Sequence, residues 1–491
     1  MTNTVTPVFL PPKDGTYQPL RHHTYSGAAW RRTVSPGLFE YVRSDGFDPD
    51  TQPLRYLNAL QSKADCEKLL LAHEAQRTIP AEGGKGIKIS SNLLQAAGEG
   101  EDRLAFDAIS WGDLRGLSEA QGDGEVGKAT LWGRWNALAK SGTEGSDQVP
   151  EGAAADNAGP EVKKDLLFCS VFDGHGGPET ADLLRRAAHA SLAFGRATNP
   201  AAMGGEEEAV IKAIKDVIAQ LQRAVFERQG SCVATCIVDL KNNKLYVAHA
   251  GDVRVVAIWL DEEGGRRVKA LTEDHNGHNP AEVKRVCDAH PDDPQAMCSV
   301  NNQPYARLLG HLMLSRAVGD VHYNRPEAER QALLAEGTHE CSWHFERPTI
   351  DPPYLTWEPE VAVHPFVKTG KERLGALIIA SDGLWDKMSN EEAALALLAH
   401  CTLDPNARTK TNHDLLAEYP LANAEPFTDE EDKTRPYLFA DANPATHLIR
   451  NAISSGDEDQ LREMLSLTKD AKCFRDDIAV MIVDFDLDHQ I

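Results

Sequence analysis

What most constrains the fold of this chain is a set of short apolar runs, each the length of one strand, over 166–172, 232–239, 244–250, 253–260, 376–380 and 478–485. Their β-branched residues, period-two alternation and flanking Gly, Asp and Asn predict strands rather than helices. Between two of them, Lys241-Asn242-Asn243-Lys244 predicts a tight hairpin, because asparagine tolerates the positive φ such a turn needs. Strands joined in this way are antiparallel. A further strand is expected over 104–109. Three separate helices accompany the strands. One covers 206–228, where Val210, Ile214, Val217, Ile218 and Leu221 keep one apolar stripe and Glu206, Glu207 and Glu208 suit the positive end of the helix dipole. A second takes Pro178 as its first residue. The third has Asn279 as N-cap, Pro280 next and Glu282 in the position that closes a capping box. Hairpins beside separate long helices indicate an α+β fold, not a doubly wound parallel sheet.

Charge and cysteine usage narrow the function. Lys and Arg number 51 against 75 Asp and Glu, a formal net charge of −24, which excludes a general nucleic-acid backbone binder. Converging carboxylates on so acidic a chain favour hard cations. The nine cysteines form no CxxC pair, so neither structural zinc nor a disulfide framework is expected, and a reducing compartment fits. No apolar run is long enough for a membrane span. Near the N-terminus Arg21, Arg31 and Arg32 face only Asp14 and Glu40, a composition similar to a mitochondrial presequence. Prolines at 7, 11, 12 and 19 argue against the amphipathic helix of such a leader, and an irregular arm is the other reading. We divide the chain into an N-terminal arm and extension, 1–85, Pro-rich and then briefly helical around 56–75, and one domain over 86–491. Polar stretches at 121–164, with a short helix over 130–140 and otherwise loop, and at 402–434 are expected as surface insertions in that domain.

The chemistry gathers where strands end. Phe172-Asp173-Gly174-His175-Gly176-Gly177 follows a buried strand and precedes a helix, and Ser381-Asp382-Gly383-Leu384-Trp385-Asp386 repeats the arrangement. Glu101-Asp102-Arg103 precedes one strand, Arg475-Asp476-Asp477 precedes another, and Gly251-Asp252-Val253-Arg254 joins two. Singly, each has a plainer reading: a tight connection, an Asx-type helix entry, a charged loop, a solvated turn or a hairpin turn. Five acidic sites all at strand termini make coincidence a poor account. Oxygen ligands without clustered cysteine select Mg²⁺ or Mn²⁺ over zinc. Carboxylates sharing one site repel unless cations neutralise them. Two such ions can bridge a water, lower its pKa and clamp a transferring phosphoryl group, which points to phosphoester hydrolysis. Cys232 and Cys236, on one strand face, read as small core residues.

In that order along the chain, these motifs resemble the series found in the metal-dependent PP2C (PPM) serine/threonine phosphatases, over about Glu101 to Phe485. Asp274-His275-Asn276, Pro352-Pro353-Tyr354-Leu355-Thr356 and Met464-Leu465-Ser466-Leu467 are similar to the subgroup of pyruvate dehydrogenase phosphatase catalytic subunits. The resemblance implies a PP2C-like sandwich of two antiparallel β-sheets flanked by α-helices, with a binuclear metal site at one end. It implies that Asp173 bridges two Mg²⁺ or Mn²⁺ ions, that the Gly174 carbonyl binds one and that Asp382 and Asp476 complete the other. Glu101 and Asp102 match a supporting acidic pair, and Asp252 the place of a weaker third ion. His175 matches a residue proposed to protonate the leaving seryl or threonyl oxygen; a structural turn histidine and a metal ligand are its alternatives.

The expected activity is therefore hydrolysis of phosphoserine and phosphothreonine in a phosphoprotein, with the pyruvate dehydrogenase complex implied as partner and the mitochondrial matrix as location. A cytoplasmic location, an inactive phosphatase-like scaffold and a small-molecule phosphohydrolase are the alternatives. One departure stands out: many family members carry a phosphate-gripping arginine where this chain has Ala97. Arg103 is a substitute for it, or the partner in a local ion pair.

Overall fold

The computed structural model describes residues 61–80, 86–96, 100–119, 164–225, 228–299, 304–336, 349–365, 367–368, 372–402, 409–422, 427, 430–467 and 471–487, together with the strands Gln18–Pro19, Ala28–Ser35, Leu38–Ser44 and Leu54–Ala59. Ala97 and the expected insertion at 121–164, save its last residue, lie outside the described residues. Two compact units are formed, one of 76–90, 101–381 and 481–491, the other of 1–75, 91–100 and 382–480.

The first unit is built on two sheets. Their strands are β1 (Ala75–Ile79), β2 (Ile87–Leu94), β3 (Arg103–Ile109), β4 (Leu166–His175), β5 (Gly230–Asp239), β6 (Lys244–Ala250), β7 (Arg254–Asp261), β8 (Arg266–Ala270), β9 (Glu360–His364), β10 (Glu372–Ala380) and β11 (Ile478–Asp484). One sheet runs β9-β6-β5-β4-β3, antiparallel throughout. The other runs β8-β7-β10-β11-β2-β1, and unit boundaries fall inside β1, β2 and β11. The predicted hairpin joins β5 and β6, with Asn243 at φ 52°.

Alternation sorts side chains to the two faces of the first sheet. Leu166, Phe168 and Phe172 of β4 and Val233 and Ile237 of β5 point one way, and pack under helices α1 (Glu179–Ala197) and α2 (Glu207–Gln222). Burying each such side chain stabilises the fold by about 1.5–3 kcal/mol. The opposite face, with Leu167, Cys169 and Val171, is equally buried, and β10 of the second sheet lies against β4. That is the expected sandwich.

Several local expectations are corrected. Helix α2 stops at Gln222, six residues before the predicted end, because the chain must turn to enter β5 at Gly230. Helix α3 (Pro280–Ala289) is capped by Asn279, whose Oδ1 accepts from Ala281 N–H at 2.9 Å, but no capping box closes. The Asn279 N–H donates to Asn276 O instead, and Glu282 turns inward to Arg316, Arg285 and Ser315. Gly251-Asp252-Val253 is not a hairpin turn, since β6 and β7 belong to different sheets.

In the second unit the N-terminal strands pair antiparallel in sequence order, where an irregular arm was one expectation. The helical stretch expected around 56–75 is the shorter Lys63–Leu70, capped by Ser62. The polar stretch 402–434 holds elements of its own, including the strand Thr409–Thr411 and the helix Asn412–Glu418, which Thr411 and Asp414 close with a true capping box. The amide nitrogen of buried Asn412 donates to Glu392 Oε1 at 2.9 Å and to the Asp432 carbonyl at 2.8 Å, so polarity there marks interior hydrogen bonds and not only a surface loop.

Candidate metal centre

The ladder between β4 and β5 outlasts the apolar run that announces it. It continues through Asp173 opposite Cys232, Gly174 opposite Ser231 and His175 opposite Gly230, so these side chains are fixed by strand hydrogen bonds and not by a loop. Glu101 and Asp102 enter beside them at the start of β3, whose Arg103 pairs with Phe172. Glycine is required at 174, where a Cβ would lie 2.4 Å from Glu101 O.

Asp252 sits on the link between sheets and is 7% exposed. Its Oδ1 accepts from the Cys232 thiol at 3.1 Å and its Oδ2 from Asn276 Nδ2 at 3.3 Å. Burial, and then the neighbouring Asp274 charge, raise its pKa. One ligand atom from each of Asp173, Cys232 and Asp252 can be chosen so that all lie within 4.8 Å of one another. Burial, with Asp252 and Asp173 adding, pushes the Cys232 thiol well above its ordinary pKa. A desolvated carboxylate beside further carboxylates gains most from a bound cation, so the oxygen donors here fit a hard divalent ion.

His175 Nε2 and Asp320 Oδ2 are 2.5 Å apart. Burial opposes the imidazolium, but the charge and hydrogen bond of Asp320, with Glu101 and Asp252 adding, hold the His175 pKa above its ordinary value. Asp320 is in the left-handed region at φ 49°, anchored by its N–H to Gln229 O at 2.9 Å. Arg103 is engaged locally: Nε donates to Asp182 Oδ1 at 2.6 Å and Nη1 to the Asp102 carbonyl at 2.8 Å.

Asp382 and Asp476 belong to the other unit. Asp382 opens the helical turn Asp382–Trp385, and the backbone of Asp477 passes so near that a Cβ on Gly383 would be 2.0 Å from its carbonyl. Asp477 accepts from Ala96 N–H, while Arg475, 4% exposed, donates to the carbonyls of Met464, Gln95 and Ala96. Burial lowers the Arg475 pKa to about 10 against the pull of Asp477 and Asp476. Lys387 is buried nearby; burial lowers it to about 8, opposed by Asp386, Asp476 and Asp382. A buried lysine leaves no mark in a sequence, and this cation was not anticipated.

A second cluster, His249, His275 and Glu360, also brings donor atoms together. Its two imidazoles stack at 4.2 Å with planes 12° apart. A metal lies in the plane of each ring that ligates it, and nearly parallel planes do not meet near the rings. This pair is therefore packing, not ligation.

The sequence model of the family described as Protein phosphatase 2C matches residues 144–407, more than half of the chain. The chain belongs to the protein phosphatase 2C family. A yeast (Saccharomyces cerevisiae) protein, [pyruvate dehydrogenase [acetyl-transferring]]-phosphatase 1, mitochondrial, is 29% identical over 67% of this phosphatase 2C chain and 63% of its own length. Human [pyruvate dehydrogenase [acetyl-transferring]]-phosphatase 2, mitochondrial, is 33% identical over 52% of this chain and 48% of its own. The chain thus spans less than two thirds of the length of these relatives. The solved structure of a serine-threonine phosphatase 2C from Toxoplasma gondii covers 84% of this chain and 98% of its own at 16% identity, with a TM-score of 0.43.

Proposed function

We propose that this protein phosphatase 2C chain is a metal-dependent phosphatase that hydrolyses phosphoserine and phosphothreonine in proteins. The observation that carries the reading is the convergence of Asp173 and Asp252 at strand ends, in a chain of this family. On the family pattern, Asp173, the Gly174 carbonyl, Asp382 and Asp476 would hold two Mg²⁺ or Mn²⁺ ions, Glu101 and Asp102 would support them and Asp252 would serve a third. Such ions supply Lewis acidity toward phosphoryl oxygens and a nucleophile at neutral pH.

The protein's own part is positioning and proton supply. Asp320 accepts from His175 Nε2 and favours the imidazolium, which leaves Nδ1 to protonate the departing seryl or threonyl oxygen. Arg103, beside the acidic pair, is the phosphate contact we propose in place of the family arginine. The similarity to mitochondrial pyruvate dehydrogenase phosphatases supports a phosphorylated subunit of the pyruvate dehydrogenase complex as substrate and the mitochondrion as location. No helix among the described residues is long and apolar enough to cross a membrane.

The test is a panel of phosphopeptides, one of them from the pyruvate dehydrogenase α-subunit, assayed with Mn²⁺ or Mg²⁺ and with chelator. Metal-dependent release of phosphate from seryl and threonyl peptides is expected. Turnover confined to small phosphate esters, or none at all, sinks the reading.

A further inference from the structure

Cys232, which the sequence presents as core filler, stands at the head of its strand among carboxylates. It faces Asp173 across the β4–β5 ladder, and its thiol donates to Asp252 Oδ1 at 3.1 Å. Gly251 holds it closely from the other side, for a Cβ there would come within 2.3 Å of Cys232 Sγ. Cys236, four residues on along the same face, instead faces Cys169 in the sheet interior.

The three donors lie within 4.8 Å of one another, whereas two donors of a tetrahedral ion with one sulfur and one oxygen ligand are about 3.6 Å apart. Cys232 and Asp252 are already close to that separation. A shift of about 1 Å by the remaining carboxylate, within the reach of a side-chain rotation, completes the set. Two carboxylates alone are donors for hard ions, and a sulfur added to them turns the preference toward soft ones.

We propose that Asp173, Cys232 and Asp252 form a mixed sulfur and oxygen site for a thiophilic divalent cation, zinc or cadmium. On binding, the cation displaces the thiol proton to solvent and engages the sulfur and both carboxylates, with its fourth position open. Because Asp173 is shared with the hard-ion site of the proposed phosphatase, occupation by zinc or cadmium competes with Mg²⁺ or Mn²⁺. Only that competition rests on the phosphatase reading. The soft-ion site itself rests on the three side chains.

The test titrates the full chain, stripped of metal, with cadmium alone and reads the ultraviolet sulfur-to-cadmium charge-transfer band. The band is expected in wild type and in Cys236→Ser, and is lost in Cys232→Ser with cadmium affinity at least about 10-fold weaker, the lower end of what even an outer partner of a metal costs. A band that survives Cys232→Ser, or is absent from wild type, overturns the site. Cadmium NMR of the wild-type complex reads the donor set without any substitution, and an all-oxygen shift overturns it equally. Phosphatase assays of wild type with Mn²⁺ run alongside: activity without the band sinks this site and spares the function, and the band without activity does the reverse.

Discussion

Gly230 faces His175 across the β4–β5 ladder so closely that a Cβ on it would lie 2.2 Å from the imidazole Nε2. The same Cβ would be 2.0 Å from Asp320 Oδ2, so glycine here is the space in which the pair meets. Gly230→Ala is expected to part them and to cost about 1–3 kcal/mol of stability through overpacking. Hydrolysis of a phosphoserine peptide should fall about as far as in His175→Gln, and thermal unfolding with steady-state kinetics checks both. Unchanged kinetics would show that the pair plays no part in turnover.

His175→Gln itself should slow phosphoserine hydrolysis by roughly 10²–10⁴-fold. An aryl phosphate, whose leaving group needs little protonation, should lose far less. Equal losses on both substrates would mark a structural or metal-binding histidine.

Asp173→Asn and Asp382→Asn are each expected to abolish Mn²⁺-dependent activity while leaving the metal-free protein as stable as wild type, or more so. Removing a charge relieves repulsion among carboxylates and takes a ligand from the ions. Near-normal turnover of either variant at saturating Mn²⁺ contradicts the ligand assignment.

Arg103 already serves Asp182 and the Asp102 carbonyl. If its guanidinium also grips phosphate, Arg103→Ala raises KM for an aryl phosphate about tenfold, the worth of one 1.4 kcal/mol contact. In the same assay Ala97→Arg should lower KM by a similar factor. An unchanged KM in Arg103→Ala removes it from the substrate site and leaves it the ion pair alone.

Glu282 gives a test in pH. Burial raises its carboxyl pKa, but Arg316, Arg285 and Ser315 outweigh burial and hold it far below the ordinary 4.5. A folded-state pKa so depressed means stabilisation that is present above the unfolded value and lost as pH falls below it. Glu282→Gln should therefore cost about 3 kcal/mol near pH 7, the low end for breaking a buried pair, since Arg285 is partly exposed and Arg316 keeps its second partner, Glu360. In urea titrations the gap to wild type should narrow below about pH 4.5. A gap independent of pH contradicts the ionised hub.

Strands and their order of chemistry were legible because a buried strand writes a short apolar run into the sequence, as in 244–250, which β6 reproduces residue for residue. The extension of β4 through His175 was not, because Asp, Gly and His carry no strand signal and are held there by the partner strand. Glu282 looked like half of a capping box since Asn and Glu three residues apart satisfy that pattern; Arg285, one turn on, gives no sign that it claims the carboxylate, and Arg316, which also claims it, is 34 residues away. Asp320 meets His175 across 145 residues, a separation no local pattern spans. Cys232 was assigned correctly to a buried face, but alternation says only which side of a sheet a residue takes, never what waits there.

The link Gly251-Asp252-Val253 carries the chain from one sheet to the other. Four Cα steps separate Ala250 from Arg254, a reach of at most about 14 Å, against a gap of about 10 Å between stacked sheets. Asp252 therefore rides on a tether with little slack. One residue added there would leave both layers whole and their contacts unbroken, yet set the carboxylate adrift; the spacing of the layers is itself the gauge that keeps this side chain in register.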